Sequence, residues 1–299
     1  MDYRTDLAME RTVYPGGLGA GVAVQTQQEG DAEITWVRIH SAEAAKRLGK
    51  AEGTYWTMTH PELPRLSPEE RMEVAKQVAQ VLRIMLPPQG DVLVLGLGNR
   101  HMTADALGDR VVSGILVTRH MQDMKGPDSL LRSVCAMSPG VLGITGVETA
   151  ELALGLVERL KPAAVLVVDA LAAMETSHIG TTIQLTDTGI RPGSGVGNHR
   201  AGITADTLHV PVIAMGIPMV VYASTIVRDA LKNIIASERD DEAAHEMAES
   251  LTSQAQTDLV VTPRNIDELV AGLADMLALA VNSALQTAYS IDELSHYLH

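Results

Sequence analysis

Two acids stand where a peptide or a water molecule can be worked on. Asp105 lies in Asn99-Arg-His-Met-Thr-Ala-Asp-Ala-Leu-Gly108, just after the apolar run Val92–Leu97, and Asp169 directly follows the apolar run Ala163–Val168. Short runs that are apolar on both faces are the strands of a parallel sheet covered on both sides. Ligand sites in such sheets form beyond the carboxyl ends of the strands. Strands one and three can be neighbours, which brings both carboxylates to one crevice. Two carboxyls a few ångström apart cannot both ionise cheaply, so one keeps its proton. The charged one then takes a proton from water while the neutral one donates to a peptide carbonyl or the leaving amine. The pattern alone leaves another reading open, in which Asp105 caps a helix and Asp169 makes a loop hydrogen bond.

A second feature is the segment from Thr186 to Asn198, which includes Gly193, Ser194, Gly195, Gly197 and Asn198. Glycines at this density let backbone approach a ligand and take positive φ. The segment has neither the dinucleotide spacing nor the Gly-Lys-Ser/Thr ending of a phosphate loop. A loop that holds an extended peptide and a simple rigid turn both fit it. Ser194 is outside a Gly-x-Ser-x-Gly elbow. Cys135 falls in an expected buried strand, where a thiol is inert packing. The ten histidines include no His-Glu-x-x-His and no zinc-ligand spacing. His101 and His120 lie near the acids. No cofactor is expected.

The elements that must position these residues alternate. Residues 31–38 read as a half-buried strand and 41–49 as a short helix. Ser67-Pro68-Glu69-Glu70 is a capping box opening a helix that Pro87-Pro88 stops. Thr103 is expected to cap a helix to about Leu116, and Thr145-x-x-Glu148 to open another to Leu160. Ser133–Met137, Thr181–Leu185 and Val210–Met215 read as strands, and Ala223–Ala236 as a helix. The acidic stretch 237–256 reads as a solvated excursion, and Thr262-Pro263 starts the closing helix. The expectation is one three-layer α/β/α domain with a mostly parallel central sheet and N-terminal strands added at its edge.

Composition narrows the function classes. Phe is absent and aromatics make up 3%, so the core must be aliphatic, helped by 14 Met. The formal net charge of −14 argues against a nucleic-acid binder, which needs a basic face. The single cysteine allows no internal disulfide. The N-terminus lacks the apolar run of a signal peptide. Leu269–Leu285 is interrupted by Asp275 and Asn282 and is read as short of a membrane span. A soluble cytoplasmic protein is expected.

Several blocks in one order resemble the germination protease family. They are Gly96-Leu97-Gly98-Asn99, Ala104–Gly108, Leu116–His120, Pro139–Gly146, Val168–Ala172, Asp187–Ile190 and Pro192–Asn198, then Val261-Thr262-Pro263. The resemblance implies an endopeptidase that degrades small acid-soluble spore proteins at germination, in the spore core. It implies a self-trimming zymogen, a homotetramer, and Asp105 and Asp169 as the essential aspartates. Asn99 and the glycine segment then hold substrate. The family cleaves after an acid and before a hydrophobic residue, which Asp6-Leu7-Ala8 matches. Residues 1–6 are thus a propeptide and 7–299 the peptidase domain, with a loose terminus expected around the cut. The fold also resembles hydrogenase maturation peptidases, whose corresponding acids hold a metal. One alternative is therefore a metal-dependent processing peptidase using Asp105, Asp169 and His120. Another is a nonenzymatic relative that binds peptide or nucleotide. The chain departs from the family at Met174-Glu175-Thr176, at Tyr222 and in its shorter 228–258 segment.

Overall fold

In the computed structural model, residues 5–13, 18–121, 131–191, 201–235 and 259–296 are described. After α1 (Ala8–Thr12), β1 (Val22–Glu29) and β2 (Ala32–Ile39) are joined by a two-residue turn at Gly30-Asp31. Gly30 takes φ +61°, the left-handed conformation such hairpins demand. β3 (Gly53–Thr59) pairs antiparallel with β2. Between them α2 (Ala42–Leu48) is capped by Ser41 and ends on Gly49 at φ 63°.

The remaining strands are β4 (Val92–Gly96), β5 (Val134–Met137), β6 (Ala164–Ala173), β7 (Thr182–Thr186), β8 (Val212–Tyr222) and β9 (Val260–Val261). Among the described residues they join the first three in one sheet of order β1-β2-β3-β7-β8-β6-β4-β5, with β9 on β8. Pairing is parallel through β5-β4-β6-β8 and antiparallel through β8-β7-β3-β2-β1. Crossover connections force the first arrangement, and short turns permit the second. The N-terminal strands extend the sheet at its edge, as expected.

One face of the sheet is covered by α3 (Pro68–Met85), α4 (Leu107–Ser113) and α9 (Ile266–Leu285), the other by α6 (Thr149–Leu160) and α7 (Ala205–Leu208). The result is the three-layer α/β/α sandwich. Its core is aliphatic, with Val92, Val94, Leu166, Val168, Ile213, Ile217, Leu273 and Leu277 among the residues buried on the first face. α3 opens on the full capping box of Ser67 and Glu70.

Four sequence expectations change. Thr103 caps no helix: Thr103–Asp105 is a 3₁₀ turn, and α4 starts only at Leu107. Thr145 ends α5 (Leu142–Thr145) rather than opening α6, because its hydroxyl is spent on the carbonyls of Val141 and Val147. Asp169 does not end its strand, since β6 runs on to Ala173. α9 is long and apolar enough to cross a membrane by length and composition, so Asp275 and Asn282 do not exclude it on that ground. Its apolar residues are instead in the core, and every residue from Met276 to Gln286 is buried. The stretch 237–256 lies outside the described residues.

Asn282 explains how a polar group sits in that helix. Its Oδ1 accepts from Leu116 N at 2.8 Å and its Nδ2 donates to Gly114 O at 2.8 Å, closing the chain that leaves α4. Asn282→Leu strands one buried donor and one buried acceptor at about 1–3 kcal/mol each. The expected outcome is a loss of about 2–4 kcal/mol in urea unfolding with an unchanged m-value, and a loss under about 0.5 kcal/mol would refute the account.

Candidate active site and the docked N-terminal segment

β6 is longer than its neighbour β4. The last register pair is Gly96 with Val168, and beyond it Leu97 N donates to Val168 O at 2.8 Å. From Asp169 onward the β4 side of β6 is therefore an open edge, and Asp169 is the first residue on it. Asp169 is 7% exposed, and its Oδ1 accepts from Ala170 N at 2.9 Å.

Asp105 reaches the same place from the chain leaving β4. Its Oδ2 accepts from Asn99 N at 2.7 Å, and Asn99 Oδ1 in turn accepts from His101 N at 3.0 Å. The backbone there admits no side chain: Gly98 is at φ +102°, and a Cβ on it would lie 1.8 Å from the Asp105 carbonyl oxygen. Thr103 Oγ1 donates to Asp267 Oδ1 at 2.8 Å, which pins the turn to α9. The stretch Leu97–Asn99 is thus bonded to Val168, next to Asp169, at one end and to Asp105 at the other. Both acids thus lie beside the short stretch that leaves β4, Asp105 bonded to it and Asp169 one residue beyond Val168. The neighbour relation expected for the first and third parallel strands holds as the β4–β6 pair.

Other expected site residues fall differently. His120 is exposed on the 3₁₀ turn Arg119–Met121, and His101 is exposed as well. Among the described residues no three His, Cys, Asp or Glu side chains cluster as metal ligands would. Cys135 is half-buried on β5, and burial pushes its thiol up. Gly193, Ser194, Gly195, Gly197 and Asn198 lie outside the described residues. The chain on either side of them is closed by a two-way bridge between Ile190 and Ile203.

The largest departure from the sequence reading is at the N-terminus. The segment around Asp6-Leu7 is held, where a loose terminus was expected. Asp6 N donates to Ala172 O at 2.9 Å, and Ala172 N donates to Asp6 Oδ2 at 2.9 Å, so Asp6 takes up the open edge of β6 that β4 has left. Leu7 is 0% exposed, packed with Leu171, Ala173 and Val221. Burying a leucine contributes about 1.5–3 kcal/mol. Three groups grip the backbone around it. Lys50 Nζ donates to the carbonyls of Thr5 and Asp6 at 2.8 Å each. Gln184 Nε2 donates to the Asp6 carbonyl at 3.0 Å, and Gln184 Oε1 accepts from Ala8 N at 2.7 Å.

Behind the segment, in α1 (Ala8–Thr12), Glu10 is 2% exposed. Its carboxylate accepts from Thr5 Oγ1, from Met174 N at 2.8 Å and from Glu175 N at 3.0 Å. It also meets His178 Nδ1 at 2.6 Å. Burial pulls the His178 pKa down, but the bond to Glu10 and its charge, with Glu175 and Glu33, raise it on balance. Nothing in local sequence distinguishes Lys50, Gln184, Glu10 or His178. Each acquires its partner only through the fold.

A cavity of about 760 Å³ adjoins this segment, lined by Asp6, Lys50, Gln184, Asp187, Arg191 and Gly216 among others. Gln184, Gly216 and Asp169 form one row across β7, β8 and β6. Register partners project to the same face, and strands are about 4.8 Å apart. Gly216 puts no side chain in the middle of that row, and the space is taken by Leu171, whose Cγ would lie 2.7 Å from a Cβ there.

A family model described as germination protease matches residues 17–252. A germination protease of Caldanaerobacter subterraneus subsp. tengcongensis is 40% identical over 318 residues, covering 99% of this chain and 98% of its own. One of Clostridium acetobutylicum is 36% identical, with 99% of each chain covered. One of Bacillus cereus is 32% identical over 99% of this chain and 97% of its own. A solved [NiFe] hydrogenase maturation protease of Thermococcus kodakarensis aligns with 67% of this chain and 98% of its own, at 18% identity and TM-score 0.34.

Lys50 gives the docked segment a pH signature. Burial lowers its pKa to about 8, against the attraction of Asp6 and Glu10. Between about 8 and 10.5 the unfolded chain keeps the Lys50 proton that the folded one has released, so folding stability rises with pH across that window. Lys50→Met removes this slope. Relative to that variant, the wild-type chain should gain about 1–3 kcal/mol between pH 7.5 and pH 10, measured by urea unfolding of both, and a flat difference would refute the burial of the amine.

Proposed function

The chain belongs to the germination protease family, and on that premise we propose that it is an endopeptidase in which Asp105 and Asp169 act together on one water molecule. The observation that supports the reading is the short stretch Leu97–Asn99, which bonds Val168, the residue before Asp169, at one end and the Asp105 carboxylate at the other. Each carboxylate accepts one backbone N–H, Asp105 from Asn99 and Asp169 from Ala170. In this reading the charged carboxylate takes the water proton, and the other, kept neutral by its neighbour's charge, donates to the leaving amine. The same pairing supports an aspartate-dependent hydrolysis that needs no cofactor.

Its substrates are the small acid-soluble proteins of the spore, cut after an acidic residue. The working form is a homotetramer in the spore core, and neither nucleic acid nor membrane is a direct partner. Asn99 and the segment Gly193–Asn198 hold the substrate beside the acids. Residues 1–6 are a propeptide and 7–299 the peptidase domain. The bond removed on activation is Asp6–Leu7, whose carbonyl is already gripped by Lys50 and Gln184. Glu151-Leu152-Ala153 carries the same acid–apolar–small pattern but lies in α6, where backbone must unfold before a protease can hold it extended.

Asp105→Asn and Asp169→Asn should each lower hydrolysis of a peptide by about 10³-fold or more, with unchanged thermal unfolding. Full activity in either variant ends the two-aspartate mechanism. Exhaustive chelation should leave wild-type turnover intact, and loss restored by one added metal would replace the mechanism with a metal-dependent one. Mass spectrometry under activating conditions should show a chain beginning at Leu7 in wild type and an uncut chain in Asp169→Asn. An active wild type that keeps its full mass would remove the propeptide assignment.

A further inference from the structure

Residues Thr5–Ala8 are bound as a ligand is bound. The main chain is extended at Leu7 (φ −77°, ψ 122°). Each residue meets a different chemistry. The Asp6 carboxylate accepts from Ala172 N, the Asp6 carbonyl accepts from Lys50 Nζ and Gln184 Nε2, and Leu7 fills a closed apolar pocket. Ala8 donates its N–H to Gln184. The grip comes from elements far apart in sequence: the residue after α2, the middle of β7 and the end of β6. Segments that merely pack on a surface do not have both oxygens and nitrogens of successive peptide groups matched by side chains.

We propose that Lys50, Gln184 and the N–H of Ala172 form the site that holds the acidic residue, and the carbonyl that follows it, in the enzyme's extended peptide substrates, and that Thr5–Ala8 fills it as a tethered ligand. This rests on the peptidase reading above. Lys50 and Gln184 place two donors on one carbonyl oxygen, and donors aimed there stabilise the negative charge that develops when water adds. The side-chain preference follows from the same contacts. A carboxylate finds a backbone N–H and the Lys50 charge, and the next position requires a large aliphatic group. Gln184, with both ends of its amide used, fixes the direction in which the peptide runs. Gln184, Gly216 and Asp169 share one row, so a carbonyl held by Gln184 stays on the row that ends in Asp169, with the Leu171 side chain packed over Gly216 between them.

The test uses the full chain carrying Leu7→Asp, which puts a charge into the apolar pocket and releases the tether. The probe is a labelled octapeptide with the sequence of residues 4–11. In a Leu7→Asp/Asp169→Asn chain the peptide should bind, and Lys50→Met or Gln184→Leu should each weaken binding at least ten-fold. Asparagine in place of the peptide's aspartate should weaken it similarly. Unchanged binding in both variants overturns the site. In the Leu7→Asp chain with both aspartates intact, Lys50→Met and Gln184→Leu should lower kcat more than they raise KM. A peptide that binds through Lys50 and Gln184 but is never cut leaves the site standing and ends the peptidase reading. A peptide cut equally well by all three chains does the reverse. Amide exchange at Leu7 and Ala8 in the otherwise wild-type chain supplies an independent measure. It should quicken at least ten-fold in Lys50→Met and Gln184→Leu, and equal exchange counts against the site even if Leu7→Asp fails to fold.

Discussion

A strand that outruns its neighbour leaves backbone donors and acceptors that must be satisfied. β6 outruns β4 from Asp169 to Ala173, and much of the site is an answer to that unmatched edge. Leu97 takes the last carbonyl before it, the Asp169 side chain turns onto Ala170 N, and Asp6 takes both polar groups of Ala172. A carboxylate that begins an open edge has protein on one side and room for a peptide on the other. An acid at the end of a paired strand would instead face a loop. β8, one residue longer, pairs with β6 as far as Ala173 and supports the part of β6 that β4 has left.

The layers on either side set the rigidity of this arrangement. On one face α9 lies buried from Met276 onward and holds the α4 exit through Asn282 and the Asp105 turn through Asp267. On the other face α6 and α7 cover only the first half of the parallel strands. Beyond them the N-terminal segment covers Leu171 and Ala173. These residues are therefore buried by the N-terminal segment and not by a helix.

Much of this was legible from residue types. Val92–Gly96 and Ala164–Val168 announce buried parallel strands by their unbroken apolar runs, and Ser67-Pro68-Glu69-Glu70 announces the start of α3. The pairing of β4 with β6 followed from strand order. What failed shares one physical cause. Ala170–Ala173 continues β6 although its pattern stops at an acid, because β8 and Asp6 supply partners from elsewhere. Thr103 and Thr145 have capping chemistry, yet tertiary contacts with Asp267 and local carbonyls claim their hydroxyls. Lys50 and Gln184 look like ordinary surface residues, and only the return of the N-terminus gives them work. The burial of Asp6-Leu7 was not legible, since terminal position argues for looseness unless a groove is waiting.

The docking of Thr5–Ala8 also has a concentration attached to it. A ligand joined to its site through α1 is present at an effective concentration on the order of millimolar. Any free peptide offering the same contacts must exceed that figure to displace it, whatever its intrinsic affinity. In the proposed cleavage at Asp6–Leu7, residues 1–6 would lose that excess by dilution, while Leu7 and Ala8 stay joined to the chain through α1. The part of the groove that holds Thr5 and Asp6 would then become available through a change in molarity alone, with no second conformation of the sheet required.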